Sequence, residues 1–265
     1  MPELAELRLT ADFINKSAKG LTFVNITKNP VHKGAEVKRP FDEFYIVAES
    51  RGKELILAFL EKGTDKKRYL LMTMGMSGHF RFTNTACEPK HSHLMFHTDD
   101  GTTLSFVDVR RFGKWKWTDS WSANRGPDPT KEFEAFRRNI YDVGFSTPLF
   151  EQPIHLVLMN QKYFNGIGNY LRAEILYRAD VHPMTRARLA LLRAPQIFDL
   201  CRDIPLQAYA LGGGQLKDWE SPFDSDPEPF RKFMRCYGNP QMSRVRDKNG
   251  RMFWYDPKWD SQEPF

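Results

Sequence analysis

The chain has few cysteines and no long apolar run, and each of these shortages excludes a class of protein. Its three cysteines, Cys87, Cys201 and Cys236, are spread over 265 residues, which argues against a disulfide framework and a four-cysteine zinc site. No apolar run reaches the roughly 20 residues that cross a bilayer. Glu3 and Glu6 stand where a signal peptide carries basic residues. We therefore expect a soluble intracellular protein in a reducing compartment, with no membrane association.

What the chain does contain is enough apolar sequence for a large core and a modest excess of positive charge. Hydrophobic residues make up 41% of the 265 positions and charged residues 27%, a size and composition that suggest two domains rather than one. Lys and Arg number 39 against 33 for Asp and Glu, which gives a net charge of +6. This balance favours a polyanionic partner, although a basic soluble enzyme without such a partner has the same composition.

The apolar spacing predicts an α+β protein that begins with a helix. Residues at three- and four-residue spacing form one apolar face that stops at Lys19-Gly20, namely Leu4, Leu7, Ala11, Ile14 and Ala18. The following hundred residues contain short runs rich in Val, Ile, Phe and Thr, separated by turn signals. We expect this part, residues 1–125, to form a β-sandwich or barrel that carries the N-terminal helix.

A helical pattern follows the Gly126-Pro127 region and is succeeded by a hairpin. Helices are predicted at 131–141, 148–161, 168–178, 195–209 and 227–236, with a glycine loop at 212–214. Two alternating segments around Asn249-Gly250 predict a β-hairpin. The expected division is therefore a first domain at 1–125, a helical domain at 126–236, and a hairpin with its tail at 237–265.

The second residue is a candidate nucleophile. Removal of the initiator methionine would leave Pro2 with a secondary amine. An α-amino group has a pKa near about 7.7–8.0, against about 10.4 for lysine, so a useful fraction can attack a carbonyl carbon at neutral pH without a dedicated base. Glu3 and Glu6 could transfer protons nearby. The alternative is that Pro2 reflects only processing or a rigid chain start.

Several other segments suit contact with nucleic acid, and each has a plainer explanation. Gly166-Ile167-Gly168-Asn169 precedes a predicted helix, whose N-terminal N–H groups can bind an anion, but it could be a simple helix cap. Arg110 and Phe112 place a basic residue beside an aromatic one, which suits entry into a base stack, or a strand end. Met76 lies between glycines on a predicted loop.

Two further basic residues stand at turns. Lys53 lies at a predicted hairpin corner, and Arg251 follows the Asn249-Gly250 turn, where a hairpin could carry it into a DNA groove. A solvated charge on a surface turn is the ordinary alternative for both.

In their order along the chain, these segments resemble the formamidopyrimidine-DNA glycosylase/endonuclease VIII family. The matching segments run from residue 2 to about 256: Pro2-Glu3, Glu6, 51–55, 75–78, 108–113, 165–174 and Gly250-Arg251. The family's four zinc-binding cysteines are absent here, as in the endonuclease VIII-like 1 branch, whose finger is a hairpin without metal. The resemblance implies a helical domain with a helix-two-turn-helix motif and a zincless β-hairpin finger.

The resemblance also implies a bifunctional DNA glycosylase/AP lyase of base excision repair that removes oxidised bases and cleaves by β,δ-elimination. It assigns Pro2 as the Schiff-base nucleophile at C1′, Glu3 as the acid/base that opens the sugar, and Glu6 as a residue that positions the flipped nucleotide. Lys53 would contact phosphate and assist β-elimination. Arg251 would assist the second elimination.

The implied DNA contacts fall into two groups. Met76, Arg110 and Phe112 would fill the gap that the flipped nucleotide leaves. Phosphate contacts would come from four positions: Gly168, Asn169, His93 and Arg231.

No cofactor and no metal are implied, and the expected partner is damaged double-stranded DNA, with single-stranded or bubble DNA left open. We expect a monomer in the DNA-containing compartment, which is the nucleus of a eukaryote or the cytoplasm for a bacterial or viral protein. A catalytically silent binder of damaged or structured DNA remains the alternative. A helix-turn-helix regulator is more distant, because no dimerisation element or recognition helix is evident.

The chain departs from the branch at two places. Leu4-Ala5 replaces Gly-Pro between the two N-terminal carboxylates. In the lesion-recognition loop, Gly214 stands where the branch has a basic residue, which puts base selectivity in doubt unless Lys217 substitutes.

Overall fold

The computed structural model describes residues 2–214, 221–223 and 226–264. The chain divides into two compact units, the first containing the described residues of 2–122 and 212–223, the second those of 123–211 and 226–264. None of the described helices is both long and apolar enough to span a membrane.

The first unit consists of one helix and an eight-stranded antiparallel sheet. Helix α1 is Leu4–Ser17, and the strands are β1 (Phe23–Lys28), β2 (Phe44–Arg51), β3 (Glu54–Glu61), β4 (Lys67–Thr73), β5 (His79–Asn84), β6 (Ser92–Thr98), β7 (Thr102–Val107) and β8 (Lys114–Trp117). Their hydrogen-bonded order is β5-β7-β6-β1-β2-β3-β4-β8. A short 3-10 turn, Thr85–Cys87, follows β5.

The sheet bends over itself, so that strands far apart in the order face each other across the core. Phe59 of β3 and Phe96 of β6 are three strands apart, yet their ring centroids are 5.8 Å apart. Phe106 of β7 and Trp115 of β8 lie at 6.0 Å. The predicted N-terminal helix followed by a β domain is confirmed, and all five apolar positions predicted for the helix face are at most 5% exposed.

The second unit is helical with a terminal hairpin. Its helices are α2 (Phe133–Arg138), α3 (Ile154–Val157), α4 (Asn169–Ala179), α5 (Ala187–Arg193), α6 (Gln196–Ala210) and α7 (Glu228–Phe233), and its strands are β9 (Ser243–Arg246) and β10 (Met252–Tyr255). A π-helical turn, Asn139–Val143, continues α2, and 3-10 turns occur at Gly144–Ser146, Pro148–Glu151 and Pro257–Ser261.

The predicted helix at 148–161 is wrong. A 3-10 turn at its start gives way to Pro153, which disfavours helix at the residue before it, and only Ile154–Val157 is α-helical. Asn160 then makes a turn, its side-chain oxygen accepting from Lys162 N at 3.0 Å. The chain thus passes through two turns before α4, as the predicted helix-two-turn-helix requires.

Other boundaries also differ from the prediction. Helices α4 and α6 match 168–178 and 195–209 within one residue at each end, whereas α7 ends at Phe233 rather than 236. The backbone N–H groups of residues 235–237 bond to a buried carboxylate instead, as described below. Helix α5 was not predicted from the sequence.

Candidate active site

The N-terminal segment is fixed by two carboxylates that cap α1. Pro2 and Glu3 are buried, and the Glu3 side chain accepts from the backbone N–H of Glu6. In return, Glu6 Oε2 accepts from Glu3 N at 2.9 Å, which completes a capping box. The position of Pro2 therefore depends on both carboxylates.

Glu6 also holds the glycine loop. Its side chain is fully buried, and Oε1 accepts from Gly214 N at 2.8 Å. Gly212 and Gly213 adopt φ of +84° and +73°, conformations that suit glycine. Gly214, where the family branch has a basic residue, is thus drawn toward the N-terminal helix, while Lys217 lies outside the described residues.

The predicted gap-filling residues are brought together by the turn at residues 108–113, here called the wedge turn. Asp108 Oδ2 accepts from Gly113 N at 2.7 Å, and Oδ1 accepts from Ser77 Oγ at 2.5 Å. Ser77 Oγ in turn accepts from Arg110 N at 3.1 Å. The buried Asp108 carboxylate therefore ties the wedge turn to the loop that carries Met76.

The wedge turn and the loop that carries Met76 pack so closely that no Cβ fits at Gly75. Gly75 has φ +60°, and a Cβ there would lie 2.7 Å from the carbonyl carbon of Phe112. Phe112 is 52% exposed, its ring 5.3 Å from the Arg110 guanidinium carbon. Met76 is half-buried. All three side chains predicted to enter the stack therefore lie on one connected surface feature.

His93, which the resemblance assigns to a phosphate contact, is buried beneath the wedge turn, and its contact with phosphate stays a prediction. Its side chain is 2% exposed, and Nε2 lies 2.9 Å from the carbonyl oxygen of Asp108. Burial lowers the pKa of His93. The alternation that marks β6 as a strand does not distinguish a buried imidazole from a solvent-facing one, and here the ring supports the wedge turn from below.

Two other predicted basic contacts are closer to solvent. Lys53 is half-buried in the turn between β2 and β3, where Gly52 has φ +56°. Arg231 lies on α7 with its side chain 69% exposed and paired with Glu228 at 2.8 Å. Both remain predictions as phosphate contacts.

In the second unit, α4 follows two successive turns. Tyr163 N donates to Asn160 O and Ile167 N donates to Phe164 O, each at 3.1 Å. Gly166 has φ +95°, and Gly168 is the extended N-cap of α4. The first turn of α4 thus begins at Asn169, at a backbone position where glycine allows close approach of a ligand.

Side chains of α4 hold the hairpin in place. Asn169 Nδ2 donates to Met252 O at 2.8 Å, while Asn169 Oδ1 accepts from Arg172 Nη2 at 2.7 Å. Arg172 Nη2 also pairs with Asp247 Oδ2 at 2.9 Å, and neither side chain of the pair is exposed. The Phe253 ring lies 4.8 Å from the guanidinium carbon. The hairpin is therefore bound to α4 through a desolvated ion pair.

Asp247 also shapes the turn that presents Arg251. Its Oδ1 accepts from Asn249 N at 2.9 Å and from Arg251 N at 3.0 Å, which leaves the Arg251 side chain exposed. Burial alone would raise the pKa of Asp247, but the Arg251 N–H, the Arg172 guanidinium and the Asn249 N–H outweigh it, and the pKa is lowered.

Glu174 fixes the segment that leads into the hairpin. Its fully buried carboxylate accepts from Arg235 N at 3.1 Å, Cys236 N at 2.8 Å and Tyr237 N at 2.9 Å. Burial, with a smaller effect of Glu174, raises the pKa of Cys236 to about 12, so its thiol is protonated. Among the described residues, no group of three or more His, Cys, Asp or Glu side chains is placed to hold a metal ion.

Comparisons with known proteins agree with this arrangement. The model of the formamidopyrimidine-DNA glycosylase N-terminal domain matches residues 1–115, and the one described as "Endonuclease VIII-like 1, DNA bind" matches residues 226–258. Endonuclease 8-like 1 of Mus musculus is 36% identical, covering 96% of this chain and 72% of the relative. The chain belongs to the formamidopyrimidine-DNA glycosylase/endonuclease VIII family. Endonuclease 8-like 1 of Homo sapiens is 35% identical with the same coverage.

More distant members of this family of DNA glycosylases have the same fold. The formamidopyrimidine-DNA glycosylase of Legionella pneumophila strain Lens is 29% identical, covering 91% of this chain and 89% of its own length. The crystal structure of the MutM (Fpg) protein from Thermus thermophilus gives a TM-score of 0.80 at 24% identity, covering 99% of this chain and 100% of that one. A MutM complex with carbocyclic 8-oxo-G containing DNA also gives 0.80, at 21% identity.

The buried ion pair predicts a strong effect of neutralising one partner. Asp247→Asn should lower the free energy of unfolding by about 3–5 kcal/mol in urea denaturation, because it leaves the Arg172 charge buried without its counter-ion. The matched change at an exposed carboxylate of the same unit, Asp142→Asn, should stay within about 0.5 kcal/mol of wild type. A loss no larger than that control would mean that the pair does not anchor the hairpin.

The free energy of unfolding of Asp247→Asn should also depend on pH differently from that of the wild type. A carboxylate whose pKa is lowered on folding stabilises the fold above its unfolded value of about 3.9, and the stabilisation is lost as the pH falls through the folded pKa. Between about pH 5 and pH 3 the wild type should therefore lose more unfolding free energy than Asp247→Asn. The buried histidines with lowered pKa, such as His155, are common to both proteins and cancel in this difference.

Proposed function

We propose that this chain is a bifunctional DNA glycosylase and AP lyase of base excision repair, which removes oxidised bases through a Schiff base on Pro2 and cleaves the strand by β,δ-elimination. The observation that carries the proposal is the N-terminal arrangement: Pro2 directly precedes a helix whose first turn holds the Glu3 and Glu6 carboxylates in mutual hydrogen bonds. A relative named Endonuclease 8-like 1 that is 36% identical over 96% of the chain supports it.

In this proposal the Pro2 amine attacks C1′ and displaces the damaged base. The base leaves with the electron pair of its glycosidic bond, and the proline nitrogen loses its proton. Glu3 then donates a proton to the ring oxygen as the sugar opens, and the freed nitrogen lone pair becomes the second bond of the iminium C=N. Loss of a C2′ proton to a general base expels the 3′ phosphate, and loss of a C4′ proton in a second elimination expels the 5′ phosphate, each phosphate leaving with the electron pair of its C–O bond. Hydrolysis of the imine then returns the amine. Glu6 positions the chain start and the flipped nucleotide.

The base must leave the helix before an amine can reach C1′, at a cost of a few kcal/mol. Met76, Arg110 and Phe112 are suited to occupy the vacated stack, because Asp108 and Ser77 hold their two segments together. His93 would position the wedge turn through its contact with Asp108 O, and its role as a phosphate ligand stays part of the proposal.

Phosphates next to the lesion would be bound by the N-terminus of α4 and by basic side chains. Gly168 and Asn169 stand at the N-terminus of α4, where backbone N–H groups favour an anion. The Asn169 amide has two N–H donors, of which one bonds to Met252 O, so the second suits a phosphate oxygen. Lys53 and Arg231 would add cations, with Lys53 also assisting β-elimination.

The substrate proposed is damaged duplex DNA, bound by a monomer in the compartment that holds the genome, nucleus or cytoplasm according to the host. Gly214 in place of a basic residue suggests that base choice differs from that of the branch. The three-part division at 125 and 236 is retained as a proposal, with the hairpin at 237–265 as the zincless finger.

Strand scission at an abasic duplex separates this enzyme from a catalytically silent DNA binder. Protein whose initiator methionine has been removed should cut the duplex. A form that retains Met1 should bind it with the same affinity but not cut, because the Pro2 nitrogen is then an amide without a nucleophilic lone pair. Equal cutting by both forms would show that the Pro2 amine is not the nucleophile. Binding by the processed protein without cutting would establish the silent alternative.

Arg251 is tested through the product pattern. If its guanidinium stabilises the departing phosphate, Arg251→Ala should shift the abasic products from the δ-elimination product toward the β-elimination product on a denaturing gel. Arg244→Ala, an exposed arginine on β9 of the same hairpin, is the matched control and should keep the wild-type ratio. An equal ratio in wild type and Arg251→Ala would exclude this role.

A further inference from the structure

A cationic cleft lies in the first unit on one side of the wedge turn. It has a volume of about 480 Å³ and is lined by residues 31–34, 110, 111 and 113–115. Four of these side chains are cationic, namely Lys33, Arg110, Arg111 and Lys114, and none of the described lining residues is Asp or Glu. A concave surface with one sign of charge concentrates the field and attracts counter-charged ligands.

Three of the four cations of this cleft have no acidic partner among the residues that the structure describes. Across the described ranges of the chain, Lys33, Arg111 and Lys114 have no ion-pair partner. The nearest acid in sequence to the 31–34 loop, Glu36, pairs with Lys28 at 3.1 Å. The Asp108 carboxylate beneath the wedge turn accepts from Ser77 and Gly113, so it contributes one buried negative charge against the three positive charges of Lys33, Arg111 and Lys114.

The walls of the cleft are fixed before any ligand enters. Trp115 Nε1 donates to Ala35 O at 2.8 Å, and the His32 ring stacks on Trp115 at 4.3 Å. Gly34 N donates to His32 Nδ1 at 2.9 Å, and a Cβ on Gly34 would lie 2.7 Å from the Trp115 ring. The 31–35 loop is therefore packed directly against β8.

Arg111 is held in an unusual backbone conformation at the cleft. Its φ is +57°, a region that few residues other than glycine adopt. Arg111 N donates to Asp108 O at 3.2 Å, which maintains the turn. Such conformations cluster at ligand-binding positions, where the surrounding structure imposes them.

We propose that this cleft binds a phosphodiester group of the DNA backbone beside the wedge turn, with Lys33, Arg111 and Lys114 as its cationic ligands. Phosphate suits the site because lysine and arginine give charge-assisted bonds to its oxygens, and backbone contacts position a protein without reading bases. The inference rests on the proposed function, since it takes DNA to be the ligand. It adds three residues that the motif comparison did not assign.

The test is the salt dependence of binding to a duplex that carries a stable abasic-site analogue. Each phosphate contact contributes about 0.9 to the slope of log K against log salt. Lys33→Ala and Lys114→Ala should each reduce the slope by about that amount and weaken binding about eightfold at ~0.1 M salt. Lys116→Ala is the matched control, because Lys116 is exposed on the same strand as Lys114 but does not line the cleft.

The proposal would be overturned if both cleft variants kept the wild-type slope of log K against log salt, or if Lys116→Ala reduced that slope by the same amount. Inorganic phosphate and a mononucleotide serve as further probes. If Lys114→Ala abolishes binding of either probe while the DNA slope is unchanged, the occupant is a free phosphate compound and the DNA assignment is wrong. Cutting of an abasic duplex by the wild-type protein tests the proposed function separately. No cutting would reject the proposed function, whereas an unchanged salt slope in the cleft variants would reject only the phosphate site.

Discussion

The turns of this protein that carry its candidate functional residues depend on buried carboxylates that accept backbone N–H groups. Asp247 fixes the turn before Arg251, Asp108 fixes the wedge turn, and Glu6 joins the chain start to Gly214. Burying an ionised carboxylate away from solvent is unfavourable in free energy unless hydrogen bonds or a counter-ion replace its lost hydration. Each of these turns is therefore restricted to the conformation that supplies the missing donors, and the residues it presents are held in position before DNA arrives.

Side chains of helix α4 fix the whole terminal hairpin and the segment that leads into it. Within six positions it contributes Asn169, Arg172 and Glu174, which contact Met252, Asp247 and the backbone at 235–237. The first turn of the same helix is the proposed phosphate site. An ion pair and hydrogen bonds thus fix the position of the hairpin relative to that site. Because burying charge is unfavourable by itself, the arrangement has value chiefly for positioning.

The sequence predicted the elements with strong periodicity and the residues with special chemistry, but not the partners that hold them. Helix α1 followed from its apolar spacing, and α4 and α6 from theirs, whereas α5 is only seven residues long. Arg172 and Asp247 are 75 residues apart, and charged residues are normally exposed, so no local pattern indicated their burial. The burial of His93 was not predicted, because strand alternation does not identify the buried face when β6 is buried along nearly its whole length.

The most direct test of the account is the site at which DNA becomes attached to the protein. Borohydride should reduce the imine formed with an abasic oligonucleotide, and mass spectrometry of a tryptic digest should then find the sugar remnant on the peptide Pro2–Arg8. The account predicts attachment at the Pro2 nitrogen. A remnant on Lys53 or on any other lysine, with residues 2–8 unmodified, would contradict it.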